Sequence, residues 1–326
     1  MSRFSPVPTR YAFGETLVEL GQEMPNLVVL EADISKSTQT FHFANAFPDR
    51  FFQMGVAEAN MMVAAAGLTT TGKIPFVSTY AVFGSMRACE QVRTFIAYPN
   101  LNVKIACSHG GVTPGSDGVT HQATEDLGIM RTIPRMTIIM PADYFATKKL
   151  VRAAAEMDGP VYLRFTRDPV PIIYDEDEAF VIGKGKRLRE GQDVSLIAIG
   201  DFVSIALEAQ QRLAQSGIDA EVIDMHTLKP IDRDLVVATA RKTGHVVTLE
   251  DHQINGGLGS AVAEVLGENC PTPMRRIGLR DTFAESGEYH LLLKKYGMDV
   301  DAVLAAVDEL MPNSAPAASD SEEQGT

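Results

Sequence analysis

Gln53-Met54-Gly55-Val56-Ala57-Glu58-Ala59-Asn60-Met61-Met62-Val63-Ala64-Ala65-Ala66-Gly67-Leu68 is the stretch on which the fold turns. Residues 50–53 read as a short strand running into a turn at Gly55, and from Ala57 the side chains are small or apolar until a stop at Gly67. This is a strand–turn–helix unit, and a helix apolar almost all round is expected to be buried. Its first turn carries one carboxylate, Glu58. A buried carboxylate is costly to ionise and holds a proton unless a specific partner takes it. The plainer reading is that Glu58 only complements the helix N-terminus. Residues elsewhere in the chain shift the balance toward a functional role.

N-terminal to this unit, residues 1–9 read as an extended arm and 11–24 as an amphipathic helix. A strand over 27–30 ends in Glu31-Ala32-Asp33, and polar residues at such strand ends are where α/β proteins build sites. C-terminal to it comes a strand over 74–78, then Tyr80, Phe83 and Met86 at helical spacing, a stripe that by itself reads as core. A strand over 102–107 opens into His109-Gly110-Gly111-Val112-Thr113-Pro114-Gly115-Ser116-Asp117-Gly118-Val119-Thr120-His121-Gln122. Glycines permit tight turns and close approach, and a loop this polar is either a solvated connection or a site.

Helices over 125–131 and 144–157 alternate with strands over 136–140 and 161–165, the last followed by Arg167-Asp168. Such alternation implies a mainly parallel sheet covered on both faces. Prolines and the acidic run Asp175-Glu176-Asp177-Glu178 break the pattern, with room for one strand before it resumes. Strands over 194–199, 220–224, 245–249 and 274–277 then alternate with helices over 202–215, 232–242 and 257–266, and a last helix covers 300–310. The expected fold is α/β, with two doubly wound domains and mainly parallel sheets. The first domain covers 1–170, a linker 171–190, the second domain 191–312 and a disordered tail 313–326. Gly256-Gly257-Leu258-Gly259 at a helix start reads as close helix–sheet packing, and there is no Walker loop.

A net charge of −13 without a basic tract argues against nucleic acid and anionic membrane as partners, while leaving anionic small substrates open. No apolar run reaches the length of a membrane span, and the first residues hold no signal-peptide core. Cys89, Cys107 and Cys270 are far apart and show no zinc spacing, so a reduced, cytoplasmic setting is the simplest reading.

From about residue 10 to residue 310 the chain resembles the C-terminal half of a transketolase, a pyrimidine-binding domain followed by the transketolase C-terminal domain. The resemblance is carried by Gly55-Val56-Ala57-Glu58, by Ser78-Thr79-Tyr80-Ala81-Val82-Phe83, and by Ser108-His109 with Asp117-Gly118-Val119-Thr120-His121-Gln122. Arg167 and Glu250-Asp251-His252-Gln253-Ile254-Asn255-Gly256-Gly257 add to it. It implies a thiamine diphosphate enzyme. Glu58 would hydrogen-bond N1′ of the cofactor's aminopyrimidine, where its proton favours the imino tautomer that deprotonates the thiazolium carbon. Tyr80 and Phe83 would lie against the aminopyrimidine and Asp33 near the cofactor. Many transketolases have Phe at the position of Tyr80 and Tyr at that of Met86.

The resemblance also implies catalytic roles for His109 and His121. Asp117 and His121 would contact the donor's hydroxyls, while His109, Arg167, Arg10 and Ser37 would face a phosphate. Arginine suits that task through its fixed, always charged fork. For Arg167 the plainer reading is a surface ion pair with Asp168. No metal ligand is expected on this chain, because the Gly-Asp-Gly…Asn motif that holds Mg²⁺ in a full transketolase is not found.

A separate N-terminal, diphosphate-binding subunit would therefore supply the metal site, in an α₂β₂ assembly. The implied activity is transfer of a two-carbon ketol unit from a ketose phosphate to an aldose acceptor. The alternatives are the β subunit of a 2-oxo acid dehydrogenase, a 1-deoxyxylulose-5-phosphate synthase-like half and a non-catalytic regulatory paralogue. The Asp117…His121-Gln122 loop speaks against the first, and retention of Glu58 with both loop histidines against the last.

Overall fold

The computed structural model describes residues 5–312. The tail expected over 313–326 and the first four residues of the arm lie outside them. Twelve strands form two sheets: β1 (Leu27–Glu31), β2 (Phe51–Gln53), β3 (Ile74–Tyr80), β4 (Lys104–Ser108), β5 (Thr137–Ile139), β6 (Val161–Arg164), β7 (Lys186–Arg189), β8 (Val194–Ala198), β9 (Ala220–Asp224), β10 (Thr227–Lys229), β11 (Val246–Gln253) and β12 (Met274–Leu279). The first sheet has the order β10-β5-β6-β4-β3-β1-β2 and the second β12-β11-β8-β9-β7. Every pairing is parallel except β10 with β5 and β7 with β9. The mainly parallel, doubly wound architecture expected from the alternating pattern is what the chain forms.

Two additions come from short antiparallel strands. β7 lies inside the stretch read as a connection and edges the second sheet, while β10, from the second half of the chain, edges the first. Of the arm, Val7 pairs with Val170, and the first helix, Thr9–Glu23, begins at once.

Helices cover both faces of each sheet, as continuous burial along the parallel strands requires. Thr9–Glu23 and Tyr144–Glu156 pack together on one face of the first sheet. Glu58–Thr69, Val92–Ala97 and Asp126–Thr132 cover the other. In the second domain Phe202–Gln215 and Val300–Leu310 pair on one face, Arg233–Thr243 and Leu258–Asn269 on the other. Among the described residues no helix is long and apolar enough to cross a membrane.

Two expectations from periodicity need correction. The helix Glu58–Thr69 buries Glu58, Met61, Met62, Ala65 and Ala66, but Asn60, Val63 and Gly67 are exposed and Val56 just before it is 71% exposed. Nothing among the described residues covers that flank, so an all-apolar helix is only half buried. The Tyr80–Phe83–Met86 stripe is not core either. After β3 the chain winds through π-helical turns at Phe83–Arg87 and Val92–Ala97, which leave Tyr80 and Phe83 half-buried and Met86 exposed. Such wide turns recur at functional sites.

The topology gathers the candidate residues. The chain runs from β1 outward to β2 and returns to β3 on the other side of β1, which makes a switch point between β1 and β3. Ligand crevices in open parallel sheets form at such points, beyond the strands' carboxyl ends. Asp33 follows β1, Glu58 follows β2, Tyr80 ends β3, His109 follows β4 and Arg167 follows β6.

Candidate active site

Glu31, fully buried at the end of β1, organises the first turn. Its carboxylate accepts from the Ile34 N–H at 2.9–3.0 Å and from Gln53 Nε2 at 3.1 Å. Gln53 Oε1 in turn accepts from the Asp33 and Gly55 N–H groups at 2.8 and 3.1 Å, so the ends of β1 and β2 are tied. Gly55 has φ +70°, a conformation that only glycine adopts without strain, and it delivers the chain into the helix that starts at Glu58.

Glu58 is 2% exposed, and both of its oxygens lie 2.9 Å from Arg87 Nη1. The carboxylate thus has a specific ionic partner, one that periodicity did not reveal. Arg87 sits in the first π-helical turn, its side chain is 47% exposed, and its guanidinium lies 4.1 Å over the Phe83 ring.

From Phe83 the contacts continue as an aromatic and imidazole wall. Phe83 and Tyr80 have ring centroids 5.9 Å apart, and His121 meets Phe83 edge-on at 5.5 Å. Tyr80 stacks on His109 at 3.9 Å. His109 is buried in a left-handed conformation, φ +62°, a strained backbone for a non-glycine residue, with Nδ1 2.8 Å from Ser108 Oγ. Burial first, then the positive field of Arg10 and Arg167, lowers its pKa to about 3. At neutral pH the ring is uncharged and offers one donor and one acceptor nitrogen.

Arg10 donates to the Ser37 carbonyl at 2.6 Å, which joins these two candidates through the backbone of Ser37, not its hydroxyl. Arg10 Nε is buried without a hydrogen-bond partner, and burial lowers the arginine's pKa. Arg167 donates to the Pro114 carbonyl and forms its ion pair with Asp117 at 3.6 Å, so the pair ties it to the glycine-rich loop and not, as in the plainer alternative, to Asp168. His121 Nδ1 lies 2.9 Å from Thr120 Oγ1.

Phe83, His121, Tyr80 and His109 therefore form one chain of ring contacts, and Arg87 links Glu58 to it. Arg10 with Ser37, and Arg167 with Asp117, border it. Asp33 reaches the same end of the sheet, exposed and with φ +66°, but its side chain bonds to none of the others among the described residues.

These residues suit a flat heteroaromatic ring: a buried carboxylate to meet a ring nitrogen and aromatic faces to hold the plane. Among the described residues no group of three or more His, Cys, Asp or Glu side chains is placed to hold a metal ion.

Comparison with known proteins agrees with this geometry. Residues 5–172 match the transketolase pyrimidine binding domain and residues 183–303 the transketolase C-terminal domain. The chain is 50% identical over 305 residues to a putative transketolase C-terminal section from Methanocaldococcus jannaschii, covering 93% of this chain and 96% of the relative. It is 43% identical to a 6-deoxy-6-sulfo-D-fructose transketolase subunit from a Clostridium species, covering 92% and 94%. A solved structure described as a split gene transketolase, an inactive β4 tetramer, superposes with a TM-score of 0.86 at 51% identity, covering 94% of this chain and 99% of that one.

Proposed function

Since the chain belongs to the transketolase family, we propose that it is the second subunit of a split, thiamine diphosphate-dependent transketolase. It would move a two-carbon ketol unit from a ketose phosphate to an aldose acceptor. The observation that carries this reading is the buried Glu58 carboxylate, joined through Arg87 to Phe83 and from there to Tyr80 and the two histidines. The bound cofactor would supply an acidic thiazolium carbon as the nucleophile.

Glu58 would hold a proton at N1′ of the aminopyrimidine, and general acid–base work of this kind needs a carboxyl within hydrogen-bond reach. Arg87 would have to yield its place on the carboxylate. Tyr80 and Phe83 would set the ring plane, with Asp33 near its rim. His121 and Asp117 would exchange hydrogen bonds with sugar hydroxyls, and neutral His109 would face the phosphate. Arg10, Ser37 and Arg167 would receive the phosphate, the arginines through charge-assisted bonds.

The metal ligands and diphosphate contacts belong, in this reading, to an N-terminal partner subunit. Three observations support that division. Relatives of nearly the same length are described as a C-terminal section and as a subunit. Met86, Val119 and Phe283 are exposed and line one pocket, and Val56, two residues before Glu58, is exposed as well, apolar surface that a partner would cover. The similar β4 tetramer, assembled from that chain alone, is described as inactive. Two-fold repetition of the shared site gives α₂β₂. The unpaired cysteines fit a reducing compartment such as the cytoplasm.

The experiment is reconstitution. The purified chain is assayed for ketol transfer with thiamine diphosphate and Mg²⁺, with and without the diphosphate-binding half. Turnover only with both halves is expected; tight cofactor binding and full turnover by this chain alone would overturn the split reading.

A further inference from the structure

The glycine-rich loop of the first domain takes its shape from the second. Gly111, Gly115 and Gly118 have φ of +61°, +58° and +75°. A Cβ on Gly111 would fall 2.0 Å from the Asp251 carboxylate, on Gly115 2.9 Å from the Gly287 carbonyl oxygen, and on Gly118 2.4 Å from Ser286 Oγ. Each of these neighbours belongs to the second domain, so the loop needs glycine for its backbone and for its clearance.

The polar ties follow the same course. The Val112 N–H donates to both oxygens of Asp251, at 3.0 and 3.1 Å. At the other end of the loop Gln122 Nε2 donates to the Glu285 carbonyl at 3.1 Å, and the Gly287 N–H donates to the Gly115 carbonyl at 3.3 Å. The Asp251 carboxylate is buried, and the residue's own carbonyl accepts from Arg164 Nη2 at 2.8 Å. Arg164 is itself fully buried, with Nε 2.9 Å from Asp126 Oδ2 in an ion pair. The anchor therefore rests on a support that has no room to shift.

We propose that Asp251 is a positioning residue for the substrate. By fixing the Val112 N–H it sets where His109 and His121, at the two ends of the loop, stand relative to the sugar. The second domain, which supplies no side chain to the aromatic and histidine wall among the described residues, thereby acts on substrate handling. This rests on the ketol-transfer reading above. Misplacing a binding group by about 1 Å is enough to cost large factors in rate, and a hydrogen bond in a dry interior is electrostatically stronger than in water, which suits it to holding a loop.

The test compares Asp251→Ala with Asp251→Asn in the full chain reconstituted with its partner. Alanine removes both acceptors of the Val112 N–H; asparagine keeps one. Asp251→Ala is expected to raise KM for the ketose donor and lower kcat/KM roughly ten- to a hundredfold. Hydrogen–deuterium exchange at the thiazolium carbon should stay unchanged, and Asp251→Asn should restore most of kcat/KM. Loss of exchange in step with kcat/KM, or a drop in Tm with KM unchanged, overturns the proposal.

A second measurement needs no variant. In the native chain the Val112 amide should exchange as slowly as amides in the strands of the second sheet, and exchange at open-loop rates overturns the anchor. If the unmodified pair shows no ketol transfer while Asp251→Ala still releases the Val112 amide, the catalytic reading has failed and the anchor stands.

Discussion

Glu58 and Asp251 are 2% and 1% exposed, yet their carboxyl groups are held in opposite ways. Glu58 is paired with a side chain, Arg87, that is 47% exposed. Asp251 is held by a backbone N–H in a packed loop, and burial together with the nearby Asp201 pushes its carboxyl pKa up. A buried acid becomes a candidate for chemistry when its partner is exchangeable, and a fastener when it is not. Depth of burial does not separate the two.

The comparison is broken most directly at Glu58. Glu58→Gln should fold and assemble yet lose turnover by about 10²–10⁴-fold, since the amide keeps the shape and a hydrogen bond but cannot relay a proton. Hydrogen–deuterium exchange at the thiazolium carbon of the reconstituted enzyme is the measurement; unchanged exchange would remove Glu58 from the mechanism.

Arg167 probes the ground between the two carboxylates, because it is proposed to receive the phosphate and also ties the loop through Asp117 and Pro114. Arg167→Ala should cost phosphorylated substrates about 1.5–3 kcal/mol, roughly ten- to a hundredfold in kcat/KM, and spare non-phosphorylated analogues. Equal losses on both substrate types would assign Arg167 to holding the loop.

The smallest effect is expected at Arg87. Its half-exposed ion pair with Glu58 is worth about 1 kcal/mol or less. Arg87→Ala should therefore lower Tm by a few degrees at most and leave reconstituted turnover within a few-fold of the parent. A loss as deep as that of Glu58→Gln would show that Arg87 works in the assembled site and is not a replaceable occupant.

Much of the fold was legible because parallel strands buried on both faces leave continuous apolar runs, and the helices between them keep their own period. The glycine-rich loop stood out by composition, and Glu58 by being the lone charge in an apolar segment. Arg87 escaped notice because it reaches Glu58 across 29 residues from a π-helical turn, whose widened pitch the 3.6-residue pattern does not describe. The role of Asp251 was hidden for a similar reason, since its partner lies 139 residues away. β10 has three residues, too few to show any period. The glycines at 256 and 257 looked like a helix-start signature. In the structure Gly256 packs against Gly128 of the first domain, while Gly257 makes room for Glu250, whose carboxylate accepts from the Leu258 and Gly259 N–H groups at 2.6 and 2.8 Å.

β10 carries a consequence of its own. By pairing Thr227 with Ile139, and through the Met140 N–H donating to the His226 carbonyl at 2.9 Å, the second domain covers the outer edge of β5. A bare β5 would present a row of unpaired backbone groups, the kind of border along which separate molecules stick to one another. The two halves are therefore not modules on a hinge but a garment and its hem. Cutting the chain between them would leave that edge of the first half frayed and prone to aggregate.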